Sequence, residues 1–93
     1  MINYIVVYAI SKSNNFSDFK PFLDNADLVV YTKPDMFKIV DPNEYVDKGS
    51  KVIMNVQNAY DFCKSKMNNN DLLVVCGSIF LIGEILSLLE KKK

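Results

Sequence analysis

Hydrophobic residues in this chain arrive in blocks separated by polar turns. Tyr4 to Ile10 reads YIVVYAI, an unbroken β-branched and aromatic run of the kind found in strands covered on both faces. Ser11 to Asn15 (SKSNN) follows as a polar loop. Ser17 or Asp18 is placed to cap a short helix running to about Asn25, in which Pro21 is tolerated because it falls in the first turn. Leu28 to Thr32 (LVVYT) predicts a second buried strand. Lys33 to Val40 predicts a long loop, and Pro34 excludes helix immediately before it.

Asp41-Pro42-Asn43-Glu44 reads as a helix start, with Asp at the cap, Pro at the first helical position and Glu at the third. Gly49 is expected to stop that helix early. Lys51 to Met54 (KVIM) is the third predicted strand. Asn55 then caps a helix on which Val56, Ala59, Tyr60, Cys63 and Met67 share one face, and Asn68-Asn69-Asn70 ends it. Leu72 to Cys76 is the fourth strand, and Ile79 to Glu90 the last helix. Apolar residues surround that helix except at Glu84 and Ser87, so burial on more than one side is expected, with Gly83 marking a close packing contact. Lys91–Lys93 suits the negative end of a helix dipole and reads as a solubilising tail. Tyr4, Tyr8 and Tyr31 are expected core aromatics, and Glu84 a carboxylate at the edge of packing.

Four buried strands, each followed by a helix, predict right-handed crossovers. The expected fold is α/β and doubly wound: a mainly parallel four-stranded sheet with flanking helices, Rossmann-like, in a single domain over 1–93. A chain of 93 residues buries roughly 60–65% of its unfolded surface, so the core is thin. Apolar residues make up 49% of the sequence and aromatics 12%, enough to build that core.

Charge narrows the function. Eleven Lys balance eight Asp and three Glu, and there is neither Arg nor His. Nucleic-acid binders carry a basic excess and arginines for phosphate and guanine, so no nucleic acid is expected as a partner. The missing His removes the commonest general base and metal ligand, and no metal site can be assembled. Cys63 and Cys76 form no CxxC pair and read as buried, reduced and structural. Residues 1–10 show no basic leader or cleavage site, and no apolar run approaches the roughly 20 residues that span a bilayer. The expectation is a soluble, cytoplasmic protein with no membrane partner.

One stretch, DLLVVCGSIFLIGEIL (71–86), stops a strand on Cys76-Gly77-Ser78 and resumes at once with apolar residues. In parallel sheets, ligands bind at the carboxyl ends of strands. Gly77 permits a tight turn and a close approach to the backbone. Ser78 can cap the helix, and the N-terminal amides and dipole there favour a carboxylate or phosphate. The residues allow equally that Gly77 and Ser78 serve only as turn and cap. Lys12 and Lys33 follow strand ends and could meet phosphate, but solvated lysines are the simpler reading.

That stretch resembles the closing segment of the folylpolyglutamate synthase/dihydrofolate synthase family, relatives of the Mur ligases: an acidic residue, an apolar strand, Gly-Ser, then an aromatic-apolar run with Gly-Glu. Strand Tyr4–Ile10, loop Ser11–Asn15, Leu28–Pro34 (LVVYTKP), Asp41-Pro42-Asn43-Glu44 and Ala59 fall in the family's order. The resemblance covers nearly the whole chain but only the family's C-terminal domain, so the fold implied is a truncated domain of the Mur ligase C-terminal type. It implies ATP-dependent joining of glutamate to a folate carboxylate through an acyl phosphate, with ATP and Mg²⁺ as cofactors of the complete enzyme. It also implies that Gly77-Ser78 faces the cleft between domains and helps hold glutamate.

Departures shape the rest. The chain has no GxxxxGK[ST] to cradle ATP, and the family's Asp-Gly-Ala-His-Asn-Pro linker is not present before Tyr4. Where the family reads Asp-Lys-Asp after the first strand, this chain has Ser13-Asn14-Asn15. Where the family prefers Arg after the Thr-Lys-Pro loop, it has Lys38, a weak candidate for nucleotide phosphate that keeps charge but loses the bidentate fork. The chain alone is therefore expected to bind no cofactor and to ligate nothing, needing a P-loop-containing N-terminal fragment in trans. It is a piece of a longer ligase, half of a split one, or a remnant. The alternative is a small stand-alone binding or dimerisation module. Homodimerisation is one way to cover the apolar face left by the missing helix.

Overall fold

The computed structural model describes residues 3–91. Strands β1 (Tyr4–Tyr8), β2 (Leu28–Tyr31), β3 (Lys51–Val52) and β4 (Leu72–Cys76) form one sheet in the order β3-β2-β1-β4. Every pairing is parallel. Helices α1 (Lys20–Asp24), α2 (Val56–Lys66) and α3 (Ile79–Lys91) flank it. Lys92 and Lys93 of the expected tail lie outside the described residues.

β1 is central, and its alternation builds both layers of the core. Ile5, Val7 and Ala9 point into a cluster with Val56, Ala59, Tyr60 and Cys63 of α2 and Leu81 and Ile85 of α3. Val6, Tyr8 and Ile10 point the other way, against Leu23 of α1 and an aromatic group that includes Phe16, Phe19, Tyr31 and Tyr45. Ile5 through Ile10 are all buried, so a run without polar alternation was required there. Regular pairing of β1 ends at Tyr8, two residues before the predicted end. Ala9 and Ile10 continue as buried backbone, and Val40 N–H reaches the Ile10 carbonyl at 2.9 Å.

Several expectations are corrected. The first helix is not capped by Ser17 or Asp18: α1 starts after Phe19 with no side-chain cap bond, and Asn15 caps only the 3₁₀ turn before it, Phe16–Asp18, its side chain accepting from Ser17 N–H at 3.1 Å. The helix expected after Asp41 is a single 3₁₀ turn, Pro42–Glu44, although Asp41 caps it by accepting from Asn43 N–H at 2.9 Å. The crossover from β2 to β3 therefore carries no α-helix.

Two strands are less buried than their apolar runs implied. β3 has two residues at the sheet margin, one exposed and one half-buried. Beyond it, Ile53 N–H still reaches the Tyr31 carbonyl at 2.9 Å, while Met54 turns outward at 42% exposure. β4 forms the opposite margin, with Leu72 exposed and the remaining four residues half-buried. The last helix is buried on one face only, at Leu81 and Ile85. Gly83 is not a packing contact, because a Cβ there would meet nothing within 4 Å. Of the expected core tyrosines, Tyr8 is fully buried and Tyr4 and Tyr31 are half-buried. Glu84 is exposed.

Candidate functional site

A cleft of about 600 Å³ opens at the carboxyl ends of β1 and β4. It is lined by the loop after β1 (Ser11, Lys12, Ser13, Asn14), by Lys38, and by the turn Cys76-Gly77-Ser78. Phe19, Ile79, Phe80 and Ile82 supply apolar wall. All three residues singled out from the sequence, Gly77, Ser78 and Lys38, border this one cleft.

The turn is forced by packing. Gly77 has φ +100°, and a Cβ there would lie on the Ala9 carbonyl oxygen and 2.8 Å from Cε2 of Tyr8. The group that approaches the Gly77 backbone is thus β1 itself. Ser78 is buried (5% exposed) and opens α3: its Oγ accepts from Phe80 N–H at 3.1 Å, and its carbonyl accepts from Ile82 N–H at 3.1 Å. The cap reading of Ser78 is the observed geometry. An anion at this terminus would meet the dipole and the amides that the cap leaves.

The other wall is held by backbone. Lys12 N–H donates to the Lys38 carbonyl at 2.7 Å, and Ser11 bridges Ile39. The loops after β1 and after β2 are thereby tied, and both lysine side chains are exposed. Lys38 Nζ lies 5.8 Å from the centroid of the Phe37 ring. Lys33 does not line the cleft; its N–H donates to Met54 O at 3.3 Å. Lys12 is solvated, as expected from its place after a strand end, yet it lines the cleft with Ser11, Ser13 and Asn14. Their signal was position: they follow β1, and loops after central parallel strands converge on the ligand side.

Below the cleft lies the aromatic group. Tyr8 packs edge-on against Phe19 at 5.5 Å and Tyr31 at 5.8 Å between centroids. The hydroxyls of Tyr8 and Tyr45 are buried without a hydrogen-bond partner among the described residues. Burial raises both above the ordinary phenol range, with Tyr45, Cys76 and Tyr31 adding to the effect on Tyr8. Both cysteines are free; Cys63 is buried as expected, but Cys76 is only half-buried. Burial pushes the Cys63 thiol up to about 11 and also raises Cys76. A raised thiol pKa makes a poor nucleophile at neutral pH.

No carboxylate lines the cleft, and among the described residues no group of three or more His, Cys, Asp or Glu is placed to hold a metal ion. The residues lining the cleft do not fit a magnesium site. Among the described residues no helix is long and apolar enough to cross a membrane.

Fold and cleft together define an α/β domain of Rossmann-like type with its candidate site at the carboxyl edge of a parallel sheet. No protein-family model matches the sequence, and no curated protein matches it. Among solved structures, the fold is that of the C-terminal domain of folylpolyglutamate synthases. E. coli FolC in complex with ADP, without folate substrate, superposes over 97% of this chain with TM-score 0.85 and 13% identity. E. coli FolC with DHPP and ADP gives 0.82 over 97% at 13% identity. The bifunctional folylpolyglutamate synthase/dihydrofolate synthase of Yersinia pestis c092, complexed with AMPPNP and Mn ion, gives 0.81 over 95% at 12% identity. The chain spans about a fifth of those proteins, 22 to 23% of each.

Proposed function

We propose that this chain is the glutamate-side domain of an ATP-dependent folate–glutamate ligase, inactive until joined by a P-loop-containing domain. The observation that carries this reading is the likeness of 95 to 97% of the chain to one segment of folylpolyglutamate synthase structures. The cleft supports it. Gly77 and Ser78 would present the start of α3 to the incoming glutamate carboxylate, and Lys12 and Lys38 would hold further negative charge on the opposite rim. ATP and Mg²⁺ would be held by the joining domain, since this cleft lacks a P-loop and a carboxylate. With no base lining the cleft, the chain's contribution is to orient and neutralise charge rather than to transfer protons.

The test is ATP-dependent ligation of glutamate to a folate acceptor. The purified chain is assayed alone and then with a P-loop fragment from the same source that ends at the linker. The expected result is activity in the mixture only. Turnover by the chain alone removes the claim of dependence. No activity in either, with both parts folded, leaves the ligase as ancestry. A second reading, a small self-associating module, draws on the apolar surface that α3 leaves exposed.

A further inference from the structure

Charge of only one sign borders the cleft at the carboxyl ends of β1 and β4. Lys12 and Lys38 line it and no Asp or Glu does, and the first turn of α3, which opens on it, holds no acidic residue. Both lysines are exposed, and neither forms an ion pair among the described residues, where the pair seen is Lys20 with Asp24. The bond from Lys12 N–H to the Lys38 carbonyl keeps the two cations on one rim.

The wall beside that rim is apolar. α3 begins IFLI, and of these four residues only Leu81 goes fully into the core. Ile79 (79% exposed) and Ile82 (39%) stand at the cleft with the half-buried Phe80. Phe19 enters from the other side of the sheet. It packs with the layer of Tyr8 and Leu23, whereas Phe80 packs with the layer of Ala59 and Ile85. Apolar side chains of both layers thus meet over the strand ends, next to the two lysines. A concave apolar surface with a few convergent polar groups is what small-molecule sites present.

We propose that this cleft binds a small amphipathic anion: a single anionic head, carboxylate or phosphate monoester, on an apolar body of about eight to ten carbons. Such a molecule is small enough to lie within the cleft of about 600 Å³. Its head lies by Lys12 and Lys38, where no carboxylate of the protein competes for the lysines or repels the ligand. Its body lies between Phe19 and the turn from Ile79 to Ile82, and covers an isoleucine side chain that folding leaves in water. Both halves of the ligand meet their complement, charge at the rim and apolar surface at the wall. The chain binds it without a joining domain, so this binding does not rest on the ligase reading.

The experiment titrates the purified chain with octanoate, octyl phosphate, octylammonium and glutamate, followed through amide chemical shifts. The expected result is saturable binding of octanoate or octyl phosphate, with shifts centred on Asn14, Gly77 and Ile79. Comparison of the two tells which head the rim prefers. Octylammonium and glutamate should each bind at least about tenfold more weakly. The double variant K12Q/K38Q should weaken octanoate binding by about fivefold, and Ile79→Ser by about threefold. Leu86→Ser, on a residue outside the cleft, should change nothing. All four side chains are exposed, and the same spectra report whether each variant folds. Absence of a saturable shift up to the order of 10 mM, equal binding of octylammonium, or shifts centred on Leu86 and Leu89 overturns the proposal. Glutamate binding more tightly than octanoate also overturns it, and leaves the cleft to the glutamate reading. Failure of the reconstituted ligation does not touch it.

Discussion

Gly77 and Tyr8 occupy each other's space: the glycine's missing side chain is where the edge of the tyrosine ring lies, 2.8 Å from an ideal Cβ. Because Tyr8 is fully buried among other aromatics, the ring cannot swing aside. The Ala9 carbonyl, also in the way, is backbone and cannot move without β1. Gly77→Ala should therefore destabilise the fold by about 2–4 kcal/mol, combining positive-φ strain with overpacking. A denaturant midpoint unchanged from the parent chain would refute this.

Ser78 acts on α3 whatever it does for a ligand. Ser78→Ala should cost about 1 kcal/mol through loss of the bond to Phe80 N–H. Ser78→Asp keeps an acceptor at the cap and so should hold stability near the parent. In the reconstituted ligase assay, the same Asp should raise the KM for glutamate by placing negative charge where a carboxylate is expected. Equal KM for parent and Asp variant would confine Ser78 to capping.

Gly83 sits within α3 with open space where its Cβ would be. Gly83→Ala should stabilise the chain by about 1 kcal/mol, the helix-propensity difference between the two residues. Thermal unfolding is the check, and a loss of stability would mean that a hidden contact needs the glycine.

Alkaline pH should unfold the chain earlier than its neutral composition implies. The Cys63 thiol titrates near 9 when exposed and near 11 in the fold, so between those values the native state holds a proton that the unfolded chain has lost. Stability is therefore fully present below pH 9 and falls as pH rises towards 11. The slope is up to about 1.4 kcal/mol per unit for one thiol, and Tyr8 and Tyr45 extend the decline to higher pH. Cys63→Ala should make the decline between pH 9 and 11 shallower by up to about 1.4 kcal/mol per unit in urea titrations, leaving the part that Cys76, Tyr8 and Tyr45 contribute, apart from a uniform loss for the small cavity.

Local chemistry was readable from the sequence wherever one residue decides the backbone. Asn55 caps α2, accepting from Asn58 N–H at 2.9 Å, and Gly77-Ser78 turns the chain from β4 into α3, because side-chain oxygens and missing Cβ atoms act within a few residues. Burial was less readable. The runs LVVYT, KVIM and LLVVC are all rich in apolar residues, and LLVVC is apolar throughout, yet β2 lies inside the sheet and β3 and β4 at its margins. Strand order is a property of the whole chain, and a continuous apolar run records affinity for a neighbour without saying whether the same molecule provides it. Ile82, Leu86 and Leu89 misled for that reason. Of the site, the Gly-Ser turn was found from its residue types, while Lys12 and Asn14 joined it only once β1 was seen to lie beside β4.

The placement of β4 against β1 also sets the order in which the molecule can be completed. Tyr4 pairs with Leu72 and Tyr8 with Cys76, so the most buried strand finds its second neighbour only after nearly all the intervening chain exists. Closing so long a loop before any ladder bond forms slows folding. During synthesis, β1 with β2 presents an open apolar flank until the last strand leaves the ribosome. Truncation before Leu72 should therefore yield aggregates rather than a smaller soluble domain, and early chaperone engagement with Tyr4–Ile10 is the consequence for a cell making this chain.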